Sequence, residues 1–468
     1  MTHRFDPTLL REYDMRGIVG ETLQSPDAYA LGRSFGTIIV RAGGSRIAVG
    51  YDGRLSSPML EAALVEGLVA SGVDVLRIGA GPTPMLYHAE AVGQVDGAVQ
   101  ITGSHNPRDH NGFKLVHRHA PFFGEAIQQL GVMAAAGDWE EGTGRVETID
   151  IMDHYVDRLL RDFDGAAFRI GWDAGNGAGG PVVAKLVQRL PGEHHCLFTD
   201  MDGNFPNHHP DPSVEANLDD LRALVRDKQL DFGVAFDGDA DRIGVVDGQG
   251  RTIPGDRLLG LFARDVLKKR PGARIVGDVK VSQAVFDHIA ALGGQPDMWK
   301  SGHSHIKSRM KQIGSPLAGE MTGHLFFADD YDGFDDGLYA ALRLIRTVTA
   351  AGQSLADLHA AIPAAISTPE WRFPVVEDRK FAVVDEIALR LRAQGAVVND
   401  LDGVRVSCAA GWWLLRASHT QAALVARAES HDAEGLAELV AAIDAQLAES
   451  GVIRPNPRED RTREIEKS

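Results

Sequence analysis

A serine in a glycine-containing turn, Ser104, is the first residue that could do covalent chemistry. It lies in the segment TGSHNP, directly after the apolar run GAVQI. Asn106 and Pro107 suit the cap and the first position of a helix, so the sequence predicts that a helix begins there. Free backbone N–H groups at such a turn bind anions, and the serine hydroxyl is able to carry a phosphoryl group. A capped turn in which Ser104 bonds only to backbone is the open alternative.

Three aspartates at alternate positions form the second candidate site. Asp237, Asp239 and Asp241 lie in the motif DGDADR, directly after the apolar run FGVAF. Carboxylate oxygens at this density favour Mg²⁺ or Mn²⁺ over zinc. The three charges repel one another unless a cation is near, and Arg242 alone does not balance them. A solvated acidic turn is the alternative, although the preceding apolar strand makes the motif the tip of a buried element.

Two later loops carry groups that suit a sugar phosphate. In GEMTGH, the side chains of Glu320, Thr322 and His324 are able to hydrogen-bond vicinal sugar hydroxyls. In RASHT (416–420), an arginine and two hydroxyls beside backbone N–H groups form a phosphate grip. A buried structural glutamate or histidine in the first loop, and an ordinary polar turn in the second, remain equally open.

The charge of the chain restricts its partners. Lys and Arg number 48 against 65 Asp and Glu, which gives a net charge of −17. A field of this sign repels nucleic acid and anionic membranes, so we expect neither as a partner. An anionic substrate then needs locally positive loops. Basic residues in or beside glycine-containing loops are Arg11, Arg16, Lys114, Lys280, His303 and Lys307.

The elements that position these loops follow a repeated order. Segments beginning at Arg46, Arg169 and Arg274 each read as a strand, a helix, a second strand and then one of the first three loops. This order predicts parallel βαβ units, with sites outside the carboxyl ends of the strands. The three helices are predicted over 57–72, 180–190 and 282–292. We therefore expect one α/β domain to occur three times, coincidental similarity of strand starts being the alternative.

After residue 366 the pattern changes to an α+β module, with Pro363, Pro369 and Pro374 at the boundary. We predict domains over 1–149, 150–252, 253–366 and 367–468, and a lid-like closure of the last one with a hinge near 366–369. The chain has 2 cysteines, no signal peptide pattern and no apolar run of membrane-spanning length, so we expect a cytoplasmic protein.

Taken in order, the four loops resemble those of the α-D-phosphohexomutase family, closest to its bacterial bifunctional phosphomannomutase/phosphoglucomutase members. TGSHNP is similar to the family's phosphoserine loop, DGDADR to its Mg²⁺ loop, GEMTGH to its sugar loop and RASHT to its phosphate loop. Supporting segments are REYDMRG, VGYDGR, NGFK, DGNFPNHHPDP and SGHSHIK. The resemblance covers essentially the whole chain. It implies three similar α/β/α domains with mixed sheets, plus a smaller α+β C-terminal domain, around a central cleft.

The resemblance also implies a role for each candidate residue. The residues expected at the transferring phosphoryl group or in acid/base catalysis are Ser104, His105, Lys114, Arg242, His303 and Arg16. Those expected to bind the sugar or the phosphate that does not react are Lys280, Glu320, Thr322, His324, Arg416, Ser418, His419 and Thr420. One Mg²⁺ per chain is expected on the Ser104 phosphate, Asp237, Asp239 and Asp241.

The implied activity is reversible conversion of hexose 1-phosphates and 6-phosphates of mannose and glucose through a bound 1,6-bisphosphate. Glucose or mannose 1,6-bisphosphate is the expected activator, sugar phosphates are the expected partners, and a monomer or weak homodimer is the expected state. Met321 and His324 favour the mannose/glucose branch of the family. Three departures from the family concern Thr322 in place of serine, His419 in place of asparagine, and Gln421-Ala422 in place of Thr-Pro. The last two predict a phosphate grip that differs in strength or geometry from that of the family.

Two other functions stay open. A metal-dependent sugar phosphatase would use the same serine and metal but would not need the Arg416 loop. A non-catalytic sugar-phosphate sensor would bind the ligand without turnover. The intact serine, aspartates and Glu320 argue against the sensor.

Overall fold

The computed structural model describes residues 2–418 and 422–454, which form four β-sheets in succession along the chain. Each of the first three sheets mixes parallel and antiparallel strands and, with its helices, forms an α/β domain. The fourth sheet and its helices form a smaller C-terminal domain. This confirms the predicted fold class, whereas the exact domain boundaries stay a prediction. No helix in the described ranges combines the length and apolar composition needed to cross a bilayer.

The first domain contains a seven-stranded sheet. Its strands are β1 (Met15–Ile18), β2 (Arg46–Tyr51), β3 (Asp74–Ala80), β4 (Gly97–Ile101), β5 (His110–His117), β6 (Ala120–Pro121) and β7 (Val146–Thr148). Its helices are α1 (Ser25–Arg41), α2 (Ser57–Ala70), α3 (Thr83–Val92) and α4 (Glu125–Ala136).

The second domain contains a five-stranded sheet. Its strands are β8 (Phe168–Asp173), β9 (Gly192–Leu197), β10 (Phe232–Phe236), β11 (Ile243–Asp247) and β12 (Thr252–Ile253). Its helices are α5 (Met152–Leu160), α6 (Gly180–Leu186) and α7 (Asp219–Lys228), the last one following a 3₁₀ turn (Glu215–Leu218).

The third domain contains a four-stranded sheet. Its strands are β13 (Arg274–Asp278), β14 (Gln295–Trp299), β15 (Leu317–Gly319) and β16 (Leu325–Phe327). Its helices are α8 (Gly255–Lys269), α9 (Gln283–Ala291), α10 (His303–Ile313), α11 (Gly337–Ala351) and α12 (Leu355–Ala360).

The C-terminal domain contains a six-stranded antiparallel sheet. Its strands are β17 (Ile366–Ser367), β18 (Trp371–Pro374), β19 (Val398–Asn399), β20 (Val404–Cys408), β21 (Gly411–Ala417) and β22 (Ala423–Ser430). Its helices are a 3₁₀ turn (Glu377–Arg379), α13 (Lys380–Ala393) and α14 (Ala433–Glu449).

The first three sheets share one strand order, which agrees with the predicted repeat. The order is β5-β4-β2-β3 in the first, β11-β10-β8-β9 in the second and β16-β15-β13-β14 in the third. In each, the last three strands of this order are mutually parallel, and the first is antiparallel to its neighbour. The chain therefore reverses direction between β4 and β5, between β10 and β11, and between β15 and β16.

The apolar core follows the division into domains. One continuous cluster of buried side chains extends through the first three domains, including Tyr87, Trp172 and Tyr339. The C-terminal domain has a separate core around Phe373 and Trp413. A small apolar cluster of Val279, Trp412 and Leu414 joins this domain to the third domain.

Several local predictions were wrong. No helix begins at Asn106–Pro107: a turn leads instead into β5 at His110, because the chain returns antiparallel to β4. Helix α6 ends at Leu186, before the predicted residue 190. The predicted order within each repeat lacked one strand and one helix, such as β3 and α3 before β4. The hinge near 366–369 stays a prediction, and Ile366 and Ser367 of that segment pair with β22 in the fourth sheet.

Candidate active site

The first three candidate loops occupy the same place in their sheets. Each one joins a parallel strand to its antiparallel neighbour, at the carboxyl end of the parallel strand. Two contacts bring the loops together: Ser104 hydrogen-bonds Asp237, and the backbones of Arg242 and His324 form an isolated β-bridge. Residues far apart in the sequence therefore meet in one place.

Ser104 lies at the centre of this contact. Its side chain is buried, and its hydroxyl donates to Oδ2 of Asp237 at 2.8 Å. Nδ1 of His105 lies 3.2 Å from the same hydroxyl oxygen. The backbone of Ser104 has a φ of +49°, a strained value for a residue with a side chain. Gly238 allows the close approach, because a Cβ there would lie 2.4 Å from the Ser104 carbonyl oxygen.

Arg54 holds the Ser104 loop in this conformation, a role that sequence reasoning missed. Its guanidinium is fully buried and donates hydrogen bonds of 2.5–2.9 Å to the carbonyls of Ser104, Asn106, Pro107 and His110. Asp52 accepts from the Arg54 side chain at 3.2 Å, from the Thr102 hydroxyl and from the Gly103 amide. The motif VGYDGR was the available signal, but it did not reveal which residue would organise the loop.

The three aspartates form a buried acceptor cluster that fits a divalent cation. Asp237, Asp239 and Asp241 are fully buried, and each offers an oxygen within 4.8 Å of the others. Oδ1 of Asp239 and Oδ1 of Asp241 have no hydrogen-bond partner in the described part of the chain. Burial and the neighbouring Asp239 raise the pKa of Asp237 well above its usual range. Buried carboxylate oxygens without donors are the ligand set that Mg²⁺ takes.

Lys114 supplies a positive charge to this cluster. Its ammonium donates to Oδ2 of Asp239 at 2.7 Å and to Oδ2 of Asp241 at 2.5 Å. Burial alone would lower the pKa of Lys114, but the two aspartates raise it well above its usual range. The hydroxyl of Thr83 also donates to Asp239, at 2.5 Å, a contact that the sequence did not indicate. Lys114 is therefore held in its charged form.

Two arginines lie beside the serine and the aspartates. The backbone N–H of Arg242 donates to Oδ1 of Asp237 at 3.1 Å, and its Nε donates to Nε2 of His324 at 2.9 Å. Arg16 is held by Asp14 at 2.6 Å and donates from Nη1 to the carbonyl of Gly103 at 3.5 Å. The guanidinium of Arg16 thus lies next to the Ser104 loop, and Nε of Arg242 lies 3.9 Å from Oδ2 of Asp237.

The GEMTGH loop brings three predicted residues to the same cleft. Oε1 of Glu320 accepts the Gly302 amide at 2.5 Å, and Thr322 is half-buried in the loop. Nδ1 of His324 lies 3.0 Å from Oδ2 of Asp335, a buried residue that sequence reasoning missed. Because Arg242 only donates, its bond to Nε2 favours the tautomer of His324 that carries the proton on Nδ1, facing Asp335.

His303 stacks beside His324, with ring centroids 5.8 Å apart. Its side chain is buried, and neither ring nitrogen has a hydrogen-bond partner among the described residues. Burial, together with the charge of Lys307, holds the pKa of His303 well below its usual range. His303 is therefore neutral at pH 7 and has nitrogen atoms available to a ligand.

Lys280 lies next to the C-terminal domain. Its ammonium donates to Oε2 of Glu370 at 3.3 Å and lies 3.9 Å from Oδ2 of Asp278. Burial would raise the pKa of Glu370, but Lys280 and Arg372 hold it at about 2. Lys280 is thus paired with the C-terminal domain rather than with the Ser104 loop.

The fourth loop is partly described. Nε of Arg416 donates to Oδ2 of Asp402 at 3.0 Å, and the guanidinium is buried with no partner for Nη2 among the described residues. The Ser418 amide donates to the carbonyl of Ala423 at 2.9 Å and closes the turn between β21 and β22. His419 and Thr420, which the sequence also predicted for this grip, lie outside the described residues.

Four family models match the chain in the order of its sheets. They describe phosphoglucomutase/phosphomannomutase alpha/beta/alpha domains I, II and III, at residues 7–136, 153–250 and 254–366, and the C-terminal domain, at residues 370–446. The chain belongs to the phosphoglucomutase/phosphomannomutase family. This confirms the resemblance found in the four loops.

Individual members of the phosphoglucomutase/phosphomannomutase family are similar to this chain over most of their length. The phosphomannomutase/phosphoglucomutase of Pseudomonas putida is 45% identical over 429 residues, 91% of this chain and 93% of the relative. A solved phosphoglucomutase/phosphomannomutase family protein from Burkholderia thailandensis has a TM-score of 0.90 and 40% identity, covering 97% of this chain and 100% of the other. The expectation of a phosphohexomutase, an isomerase, is thereby confirmed.

A more distant solved structure shares the fold. The N-acetylphosphoglucosamine mutase of Aspergillus fumigatus has a TM-score of 0.57 and 16% identity, covering 95% of this chain and 97% of the other. That protein was solved with GlcNAc-6P and magnesium and, separately, with glucose 1,6-bisphosphate. This similarity concerns the fold alone, and the roles of the individual site residues in the present chain stay predictions.

Proposed function

We propose that this chain reversibly converts the 1-phosphates and 6-phosphates of mannose and glucose, with Ser104 as the carrier of the phosphoryl group. The observation that carries the proposal is the buried hydroxyl of Ser104, 2.8 Å from Asp237. Basic residues contact its immediate neighbours: Lys114 binds Asp239, Arg16 reaches the carbonyl of Gly103, and the backbone N–H of Arg242 binds Asp237. Positive groups and metal-ligand oxygens around one hydroxyl suit a phosphoserine, whose charge needs stabilisation on all sides.

Four groups would hold the metal. These are the oxygens of Asp237, Asp239 and Asp241 together with a phosphate on Ser104, and the buried, partly unpartnered carboxylates support this choice. One Mg²⁺ per chain, when bound, supplies positive charge beside the transferring phosphoryl oxygens. Arg16 and Arg242 add charge-assisted hydrogen bonds to the same group, and His105 flanks the serine.

The chemical step moves one phosphoryl group between oxygens. The free O6 or O1 hydroxyl of the bound sugar monophosphate attacks phosphorus, so a new O–P bond forms and the bond to Oγ of Ser104 breaks. Neutral His303 is suited to take the hydroxyl proton, since burial keeps the pKa of His303 low. Charged Lys114 is suited to stabilise the leaving Ser104 oxygen. The bisphosphate then turns over in the cleft, and the reverse step returns the other phosphate to Ser104.

Reorientation requires contacts that accept both ends of the sugar. Glu320, Thr322 and His324 are proposed to bind hydroxyls that glucose and mannose share, which would allow both sugars. Arg416 and Ser418, with His419 and Thr420, are proposed to bind the phosphate that is not reacting, and Lys280 to line the cleft. Glucose or mannose 1,6-bisphosphate is the proposed activator, since it phosphorylates Ser104 directly. That the enzyme acts in the cytoplasm, as a monomer or weak homodimer, stays a prediction from sequence.

Phosphorus NMR tests the proposal. The enzyme is incubated with Mg²⁺ and glucose 1-phosphate or mannose 1-phosphate, with and without a trace of glucose 1,6-bisphosphate. We expect both sugars to be converted to 6-phosphates. Accumulating inorganic phosphate would instead indicate a sugar phosphatase, and absence of turnover even with bisphosphate would indicate a sensor.

A further inference from the structure

One carboxylate oxygen joins the C-terminal domain to the loop that precedes His303. Oδ2 of Asp402 accepts the N–H of Ser301 at 2.9 Å and Nε of Arg416 at 3.0 Å. Asp402 and Arg416 belong to the C-terminal domain, whereas Ser301 follows β14 in the third domain. The position of the Arg416 guanidinium is therefore set against a second domain, not only against its own sheet.

The contact with Asp402 leaves part of the guanidinium for a ligand. Arg416 is 7% exposed, and its Nη2 has no hydrogen-bond partner among the described residues. A buried N–H without an acceptor costs free energy, so such an atom indicates an acceptor that arrives with the ligand. A guanidinium whose Nε is held has a fixed plane, which favours the directed hydrogen bonds that a phosphate accepts.

Ser301 is itself held from two further sides. Its hydroxyl donates to Oδ2 of Asp278 at 2.5 Å, and its carbonyl accepts the hydroxyl of Tyr13, from the first domain, at 2.7 Å. The next amide, of Gly302, donates to Oε1 of Glu320 at 2.5 Å. The loop that receives Asp402 is thus continuous with the glutamate proposed to bind sugar hydroxyls.

We propose that Asp402 is a positioning residue for Arg416. Through one oxygen it fixes the guanidinium against the 301–302 loop, so that the non-reacting phosphate is held at a set place relative to the sugar contacts of Glu320. Asp402 acts through Arg416 and does not touch the reacting atoms. The inference rests on the proposed function in one respect, the assignment of Arg416 to the phosphate of the substrate.

The first test is the variant Asp402→Asn, which keeps the size of the side chain and removes its charge. We expect kcat/KM for glucose 1-phosphate to fall by about tenfold, the usual cost of one charge-assisted hydrogen bond. Phosphoryl transfer from phospho-Ser104 to glucose, which has no phosphate for Arg416, should change by less than about twofold. An equal loss with both acceptors would overturn the proposal, since it would indicate general damage to the site.

A matched control comes from the same loop. Asp400→Asn makes the same chemical change two residues away, at an exposed carboxylate that pairs with Arg392. This variant should keep the wild-type kcat/KM for glucose 1-phosphate. If it shows the same tenfold loss as Asp402→Asn, the effect belongs to the charge of the loop and the proposal is wrong.

A double-mutant cycle separates positioning from stability. In an Arg416→Lys background, where the fixed guanidinium is absent, Asp402→Asn should cost less than about twofold. Full additivity would overturn the proposal. Calorimetric binding of glucose 1-phosphate provides a readout without turnover: it should weaken about tenfold in Asp402→Asn even if the wild type proves not to be a mutase. Equal affinity of the wild type and Asp402→Asn for glucose 1-phosphate, or no binding by either, would reject the proposed role of Asp402 whether or not the protein is a mutase.

Discussion

Ser104 and Asp237 are 133 positions apart in the chain, yet the hydroxyl of one donates to the carboxylate of the other at 2.8 Å. Neither residue is at the surface. The contact joins the loop after β4 to the loop after β10, which are equivalent places in two repeated sheets. The site is thus built at the junction of repeated domains rather than inside one of them.

Removing the hydroxyl of Ser104 should abolish turnover. We expect Ser104→Ala to lower kcat by roughly 10⁴-fold or more, because no other group takes over as phosphoryl carrier. The measurement is the phosphorus NMR time course with both sugar phosphates. Ser407→Ala, at an exposed serine of β20, should retain full activity. Substantial turnover of the Ser104 variant would show that the phosphoryl group is carried elsewhere.

Removing one carboxylate should weaken the metal site. We expect Asp239→Asn to lower the affinity for Mn²⁺, measured by electron paramagnetic resonance, by at least about tenfold, because a charged ligand is lost. Mutase activity should fall with it and should recover in part at high Mg²⁺. Asp220→Asn, at an exposed position of α7 in the same domain, is the control and should bind Mn²⁺ as the wild type does. Unchanged Mn²⁺ binding by Asp239→Asn would place the metal elsewhere.

Replacing Arg54 with lysine should disorder the Ser104 loop. The guanidinium of Arg54 donates to four backbone carbonyls. The single ammonium group of a lysine does not reach all four, so some of these buried carbonyls would lack a hydrogen-bond donor. We expect Arg54→Lys to destabilise the protein by about 2–4 kcal/mol and to reduce phosphorylation of Ser104 by glucose 1,6-bisphosphate. Thermal denaturation and intact-protein mass spectrometry measure the two effects. Arg41→Lys, at a surface ion pair, should leave both unchanged.

Asp336 should make stability fall as the pH rises through its range. This buried carboxyl accepts the hydroxyls of Tyr155 and Tyr331, and burial raises its pKa to about 6, above the usual value of 3.8. The folded state therefore binds the proton more tightly than the unfolded state. This contribution to stability is full below about pH 4 and is lost as the pH rises through about 6. Asp336→Asn, which cannot ionise, should lack this part of the dependence.

The measurement is the difference in Tm between the wild type and Asp336→Asn, taken at several values between pH 4 and pH 7. We expect the difference to move in favour of the variant as the pH rises. A difference that is constant over this range would contradict the assigned pKa. A control variant at exposed Asp220 should follow the wild type at every pH.

Local sequence was sufficient to predict an element or a site when the residues that determine it are adjacent in the chain. The run GVAF followed by DGDADR predicted a buried strand that ends in an acidic cluster, and both are found. Helix α2 begins at Ser57, one residue before the predicted start at Pro58, and the fixed φ of this proline suits the first turn. The predicted cap was wrong, because the cap position is Ser56 and no side chain in the described part of the chain caps the helix end. The helix predicted at Pro107 was wrong, because the same local signals also suit a turn, and the antiparallel return of β5 decided between them.

The sequence by itself determined the repeat and the residue types in each of the four loops, since these depend on short-range pattern. It did not give the full order of the elements, because each repeat contains a strand and a helix that the predicted order lacked. Only the tertiary structure decided which residues share a partner. Arg54 could not be told from any other arginine until the carbonyls around it were in place. Asp335 and Asp402 gained their roles from His324 and Arg416, which reach them through folded contacts. Hydrogen bonds and desolvation act over a few ångströms in space. The sequence pattern does not show which residues, far apart in the chain, come within that distance after folding.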